Sequence, residues 1–331
     1  MNIDRAKEII NQFSSKKILV VGDVVLDQYI RGTVERINPE APVPILHAHH
    51  ESEQSGGAGN TAKNAAALGA TTMLVSAVGS DATAEKIKVA AQTEGYQGQF
   101  STDPSRPTTR KIRYIAASQQ MLRVDYEETH PLEALAEAEV IAAIQSAGDA
   151  IAGIIVSDYD KGVITANVAR AICAMAKAKN IPLAVDAKPA HAAWFTGATF
   201  ISPNLKEARA FLGLDPYGHD KTDWQSLATQ LHKKMQTGVY LTLSADGMYV
   251  VTTDTIGQHV PQLHHVEVTD TSGAGDTATV VLLLSLLCGA TSVEAAELAN
   301  VAGAIVVSKL GAVGVTSTEL ITALSSLPTK E

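Results

Sequence analysis

A glycine-rich turn, a carboxylate and an apolar run stand together at Asp270-Thr-Ser-Gly-Ala-Gly-Asp276. The residues that follow, Thr277 to Cys288, read as a buried helix, and His264 to Thr269 before them alternate like a strand. Backbone N–H groups of Gly273, Ala274 and Gly275 would then lie unpaired at a helix N-terminus, where they favour an anion. Asp276 beside that hole is a poor phosphate ligand, because like charges repel. It suits a general base that takes a proton from a hydroxyl attacking a phosphoryl group. The same residue also meets a blander requirement, an acid in the first turn of a helix.

Such a turn needs a frame. Lys17 to Asp23 is apolar without alternation, as in a parallel strand buried on both faces. Further strands are expected at Thr72–Gly79, Ile151–Ser157, Ile181–Asp186, Thr199–Ser202, Val239–Leu243, Met248–Thr252 and near Val266. Helices are expected from Gly57 to Leu68, Ala82 to Gly95, Ala166 to Ala178 and Ser292 to Lys309. Strands alternating with helices imply an α/β fold with a doubly wound, mostly parallel sheet. Arg110–Ile115 and Met121–Tyr126 instead alternate with period two and read as half-exposed strands. Together with the proline-punctuated polar stretch before Ser55, segments 28–50 and 108–126 are expected to form a small β-strand lid on a single domain spanning 1–331.

Composition sets outer limits. With 331 residues, 46% hydrophobic and 18% charged, the chain can bury a large core. A net charge of −9 argues against nucleic acid and anionic membrane as general partners. Two cysteines in apolar runs read as buried free thiols of a reducing compartment. No secretion signal is visible and Ala278–Cys288 is too short to span a bilayer, so a cytoplasmic protein is expected.

Gly57–Ala62 and Gly273–Ala278 both fit a relaxed dinucleotide fingerprint. The first does not follow a strand, and the helix of the second leads into another helix rather than a strand ending in an acid. No Gly-x-x-x-x-Gly-Lys-Ser/Thr run occurs. His47, His49 and His50 lack cysteine or acidic partners at metal-ligand spacing and read as solvated lid residues.

Gly56-Gly-Ala-Gly-Asn60, Asn204-Leu-Lys-Glu207 and Asp270–Asp276, in this order, resemble the three hallmarks of the ribokinase-like (PfkB) carbohydrate kinases across nearly the whole chain. Gly22–Asp27, Arg36–Pro44, Gln119–Asp125 and Ser157-Asp-Tyr-Asp-Lys-Gly162 further resemble the D-glycero-β-D-manno-heptose-7-phosphate kinases, in the stand-alone form. That resemblance implies ATP-dependent phosphorylation of the sugar phosphate at O1, for ADP-heptose and lipopolysaccharide core synthesis. Other sugars of the same kinase family (ribose, fructose phosphate, ketodeoxygluconate) are the nearest alternatives. A non-catalytic sugar-binding regulator is a more distant one.

Residue by residue, the resemblance makes Asp276 the base and Gly273, Ala274 and Gly275 the anion hole. Asn204, Lys206 and Glu207 would serve the triphosphate, with Glu207 on Mg²⁺ through water, although Asn204 and Glu207 also fit an ordinary helix start. Thr242, Ser244 and Gly247 resemble a nucleotide-contacting turn, and Asn300 stands for the adenine pocket or a core amide. Asp23 and Asp27 follow the first strand, where ligands collect, and would accept sugar hydroxyls. Gly56 and Gly57 would admit the sugar to the backbone, Asn60 would orient a hydroxyl, and Asp158 belongs to the same sugar motifs. Arg36, Lys111, Arg113, Arg123, Lys161 and Lys188 are candidate cations for the sugar's phosphate. Asp270 and Ser272, with carbonyls near Ser308–Gly314, would form a K⁺ site. Exposed lid edges predict a homodimer through the lid.

Overall fold

The computed structural model describes residues 1–117, 119–218, 223–264, 266–309, 311 and 313–326. The chain opens with α1 (Ile3–Asn11) and β1 (Lys17–Gly22), then runs into a long hairpin, β2 (Val24–Ile37) and β3 (Pro44–Gly57). Next come α2 (Ala58–Ala67), β4 (Thr71–Val78), α3 (Ala82–Thr93) and β5 (Gln97–Thr102). A second hairpin, β6 (Arg110–Ala116) and β7 (Gln119–Tyr126), precedes α4 (Ala134–Ser146), β8 (Gly153–Ser157) and α5 (Ala166–Lys179). β9 (Leu183–Asp186), β10 (Phe200–Ile201), α6 (Leu205–Phe211) and α7 (Trp224–Met235) follow. The chain then forms β11 (Gly238–Thr242), β12 (Met248–Val251) and β13 (Gln258–Val260), and finishes with α8 (Ala274–Leu287), α9 (Ser292–Val307) and α10 (Ser317–Ser325).

The main sheet has the order β13-β12-β11-β10-β9-β8-β1-β4-β5 and is parallel except where β12 pairs with β11 and β13. This is the doubly wound α/β arrangement expected from the sequence. Alternate residues of β1 serve opposite layers, which is why the strand is apolar throughout. Ile18 and Val20 join the core with α2, α8 and α9, whereas Leu19 and Val21 join that of α4, α5 and α7. Strand order reverses around β1, which lies between β4 and β8. The C-terminal ends of β1 and β8 therefore flank the crevice where an open α/β sheet binds ligands.

The second sheet has the order β3-β2-β6-β7. Its long hairpin begins at Val24 and returns at Gly57, beyond the span 28–50 read from the sequence. It is thus a direct continuation of β1 on one side and of α2 on the other.

The strand expected near Val266 is absent among the described residues, since β13 ends at Val260 before Pro261. Thr269 and Asp270 instead give their N–H groups to Val307 O at the end of α9. The alternation of that segment reflects Val266 and Val268 facing a cavity, not a sheet.

Candidate active site

Gly273 starts α8 in the left-handed region, at φ 79°, and no side chain caps this helix. The backbone N–H groups of Gly275 and Asp276 have no partner among the described residues, and that of Ala274 makes only a long 3.4 Å contact to Thr271 O. A methyl placed on Gly275 would meet nothing within 4 Å, so these donors face open space. The helix behind them is fixed by the buried run Val280–Leu284. The result is a rigid helix end of the kind that favours an anion.

Asp276 is 4% exposed and accepts three hydrogen bonds. Asn60 Nδ2 lies 2.7 Å from Oδ2, while Tyr159 Oη at 2.9 Å and Thr61 Oγ1 at 3.0 Å converge on Oδ1. Ser157 Oγ is within 3.1 Å of Thr61, and Thr277 Oγ1 donates to Asn64 Oδ1 at 2.9 Å, locking α2 against β8 and α8. Burial pushes the Asp276 carboxyl above its usual range, opposed by those donors and by the charge of Lys188. Asn60 Oδ1 is buried with no hydrogen-bond partner, leaving one acceptor beside the carboxylate for a ligand hydroxyl.

Several residues expected to touch a sugar do other work. Both oxygens of Asp23 are taken by backbone N–H groups, from Val163 on Oδ1 and from Tyr159 and Lys161 on Oδ2. Asp158 likewise accepts from Asp160 N, Lys188 N and His191 Nδ1. These two buried carboxylates shape the loops after β8 and β9. Gly57, at φ +57°, is glycine because a side chain would overlap Asp23 O, and a side chain on Gly56 would overlap Asp27 Oδ2. The close approach is to the protein's own groups. Arg36 is exposed opposite Ile45, nine residues along β2 from Asp27, on the order of 30 Å of extended chain.

Asp27 remains in the cleft, paired with Arg113 Nη1. The neighbouring cations are paired too. Lys111 Nζ bridges Asp125 at 3.0 Å and Glu127 at 2.9 Å, Lys161 Nζ meets Glu127 at 2.9 Å, and Arg123 meets Asp125 at 2.9 Å. Lys188 is placed elsewhere: its Nζ is 3.5 Å from Glu207 Oε1 and 5.5 Å from the centre of the Tyr159 ring. It belongs to the Asp276 centre, not to a phosphate clamp on the second sheet.

Beside Asp276 opens a cavity of about 380 Å³, lined at one end by Ala274 and Gly275. Asn204, the turn with Thr242, Ser244 and Gly247, and Asn300, three places far apart in the sequence, all line it. Met248, Val266, Val268, Ala278 and Val307 give it apolar walls. Apolar walls with a few polar groups suit a small-molecule ligand. Asn300 holds the wall itself, donating Nδ2 to Val260 O at 2.9 Å. Asn204 and Glu207 form a capping box on α6, with Oδ1 accepting from Glu207 N and Oε2 from Asn204 N. The helix-start reading of that pair therefore holds for Asn204, and only Glu207 Oε1 still points to Lys188. Lys206 leaves the site and lies over the Tyr217 ring at 4.8 Å.

Asp186 was not among the sequence candidates. Its carboxyl is half-buried, makes no side-chain hydrogen bond among those found, and is pushed up to about 8. Desolvation is the main cause, followed by the like charges of Glu207 and Asp276, with Lys188 opposing. Two hard-oxygen carboxylates that repel each other in this way fit a divalent cation, which would reverse the repulsion. Among the described residues no group of three or more His, Cys, Asp or Glu side chains is arranged for a metal, so Mg²⁺ here would rely on phosphate and water as well. Asp270 accepts from Ser272 N on Oδ1 and from Gly311 N on Oδ2. Both oxygens shape the turn, and Leu310 and Ala312 of the expected K⁺ loop lie outside the described residues. His47 and His49 stack edge to face on the exposed hairpin, 4.7 Å apart.

Tyr159 and Thr61 were also missed as partners of Asp276. Tyr159 stands inside the quoted Ser157–Gly162 motif and Thr61 follows Asn60. Motif membership was a signal for both, whereas their direction was not.

Residues 15–319 match the family described as pfkB family carbohydrate kinase. Bifunctional protein HldE of Caulobacter vibrioides is 39% identical over 315 residues, covering 95% of this chain and 64% of that protein. Its counterpart in Azorhizobium caulinodans is 40% identical over 313 residues, covering 93% and 64%. The chain thus spans less than two thirds of the length of these curated relatives. Phosphofructokinase-2 from Escherichia coli, solved with substrates and products, has a TM-score of 0.77 over 94% of this chain and 99% of that chain, at 17% identity. A carbohydrate kinase from Agrobacterium tumefaciens gives 0.69 over 95% and 98%, at 24% identity. At those identities the likeness is one of fold.

Proposed function

From the premise that this chain belongs to the pfkB family of carbohydrate kinases, we propose that it transfers the γ-phosphoryl group of ATP to O1 of D-glycero-β-D-manno-heptose 7-phosphate. The observation that carries the chemistry is Asp276, held by three donors at the open N-terminus of α8, beside a cavity with apolar walls. The sugar hydroxyl enters between Asp276 and Asn60 Oδ1 and loses its proton to Asp276 as it attacks. Unpaired N–H groups of α8 and the ammonium of Lys188 face the charge that develops on the transferring group. Asp186 and Glu207 would hold Mg²⁺, which when bound neutralises phosphate charge.

The choice of sugar rests on the motifs at Gly22–Asp27, Arg36–Pro44, Gln119–Asp125 and Ser157–Gly162 and on the relatives called HldE. A panel of sugars with ATP, read by ADP release, tests it. Preference for the heptose 7-phosphate supports the reading. Preference for ribose, fructose phosphate, ketodeoxygluconate or any unphosphorylated sugar overturns the substrate and leaves the kinase.

The second sheet serves in this reading as a lid, and its exposed Met121, Leu122 and Tyr126 would join two copies. A monomer by sedimentation at micromolar concentration would remove that part. No described helix is long and apolar enough to cross a membrane, and a cytoplasmic site of action belongs to the same proposal.

A further inference from the structure

Strand register places the charges of the second sheet in rows. Lys111 stands between Asp27 and Asp125, and Arg113 stands between Tyr29 and Arg123. Two guanidinium-bearing residues therefore face each other directly across β6 and β7, an arrangement that destabilises a sheet unless anions intervene. Lys161 adds a fourth cation from the loop after β8. Three carboxylates serve these four cations: Asp27 on Arg113, Asp125 on Lys111 and Arg123, and Glu127 on Lys111 and Lys161. Glu127 ties Lys111 of the second sheet to Lys161 of the loop after β8, with one carboxylate oxygen 2.9 Å from each ammonium.

The position of this bridge matters. Lys161 follows Tyr159 by two residues, and Asp23 fixes the backbone N–H of both. The loop that holds the base at its start therefore holds the bridge at its end. A sugar with its reacting hydroxyl at Asp276 and a phosphate at its far end would direct that phosphate toward Lys111 and Lys161.

We propose that Lys111 and Lys161 form the subsite for the sugar's existing phosphate, and that the Glu127 carboxylate stands in for that phosphate until the substrate displaces it. This rests on the reading of a phosphorylated sugar as substrate. A phosphate monoester offers three oxygens and nearly two charges where the carboxylate offers two oxygens and one. The two lysines hold Glu127 below the usual carboxyl range, and its side chain already reaches solvent, so it leaves as a hydrated anion. Glu127 in this role sets specificity: a sugar without the phosphate cannot open the bridge.

The probe is inorganic phosphate, titrated calorimetrically into the nucleotide-free protein at fixed low ionic strength. Glu127→Gln keeps the shape and removes the competing charge, and should bind phosphate about tenfold more tightly. Lys161→Met should bind it about tenfold more weakly. On the unmodified protein, phosphate should protect Lys111 and Lys161 from acetylation, a readout independent of whether a variant folds. Equal or weaker binding by folded Glu127→Gln, or absence of protection in the wild type, overturns the subsite. None of these readouts needs turnover, so tighter phosphate binding together with no activity on heptose 7-phosphate would reject the sugar assignment alone.

Discussion

Tyr159 donates its hydroxyl to Asp276 Oδ1 across 2.9 Å, from a loop whose backbone is fixed by Asp23. Burial and the charge of Asp276 push the phenol well above its ordinary range, so Tyr159 stays protonated and remains a donor. The pair therefore has a fixed direction of proton sharing. Asp276 is the group free to accept a proton from outside, and Tyr159 orients it.

Tyr159→Phe removes one of three donors that lower the carboxyl's proton affinity. The Asp276 carboxyl should then rise further, and the acid limb of the kcat profile should move to higher pH by roughly one unit. At pH 7 kcat should fall about threefold to tenfold, with nucleotide binding unchanged. An unshifted acid limb with lower kcat would show that the hydroxyl acts on something other than Asp276.

Asp276→Asn keeps the size of the side chain and abolishes the base. Proton transfer by a positioned group is worth about 10²- to 10⁴-fold, and a loss of that order in kcat is expected. The N–H groups of α8 remain, so some activity should survive and nucleotide affinity by calorimetry should stay within severalfold. Normal turnover by the folded variant would remove Asp276 from the chemistry.

Asp186 makes stability depend on pH. Its folded-state value of about 8 lies above the usual 3.8, so between those values the folded protein holds a proton that the unfolded chain has released. Its contribution is complete below about pH 4 and is lost as pH rises through 8. Asp23, pushed up to about 6 mainly by desolvation, acts in the same direction at lower pH. Asp186→Asn should melt higher than the wild type, by a margin that grows from pH 5 to pH 8.5 and reaches about 1 kcal/mol or more, roughly 2 °C for a chain of this size. Mg²⁺ should raise the wild-type melting point at pH 8 and leave the variant's unchanged. A margin that stays constant from pH 5 to pH 8.5 would mean that Asp186 is ionised in the folded protein throughout.

Much of this arrangement was legible because it is local. The apolar run of β1, the glycines before α8 and the period-two pattern of β6 and β7 each depend on neighbours in sequence. The residues that misled depend on three dimensions. Val266 and Val268 alternate like a strand, yet they wall the cavity at the start of α8. Asn204 and Glu207 have a spacing that serves a capping box as well as a ligand, and packing decides between them. Asp23 reads as a ligand because it follows a strand, but three backbone N–H groups claim it. Asp186 has only the signal of its place at the end of an expected strand. Its character arises from Glu207 and Asp276 arriving from distant parts of the chain.

Gly275 separates a structural role from a ligand-facing one. At Gly57 a side chain would overlap the backbone of Asp23, so substitution there should cost stability. At Gly275 a Cβ would meet nothing within 4 Å, and the position is an ordinary helical one in the first turn of α8. Alanine is the better helix former by up to about 1 kcal/mol. Gly275→Ala should therefore fold at least as stably as the wild type, with an equal or higher melting temperature. Its methyl group would nevertheless stand beside the cavity that Ala274 and Gly275 line, next to the N–H groups of Gly275 and Asp276. If a phosphoryl group occupies that space during turnover, kcat should fall about tenfold or more, because a displacement of 1 Å at a reacting centre can cost 10²-fold. A stable variant with wild-type kcat would leave the space without a ligand, and the anion hole at the start of α8 would have no part in the reaction.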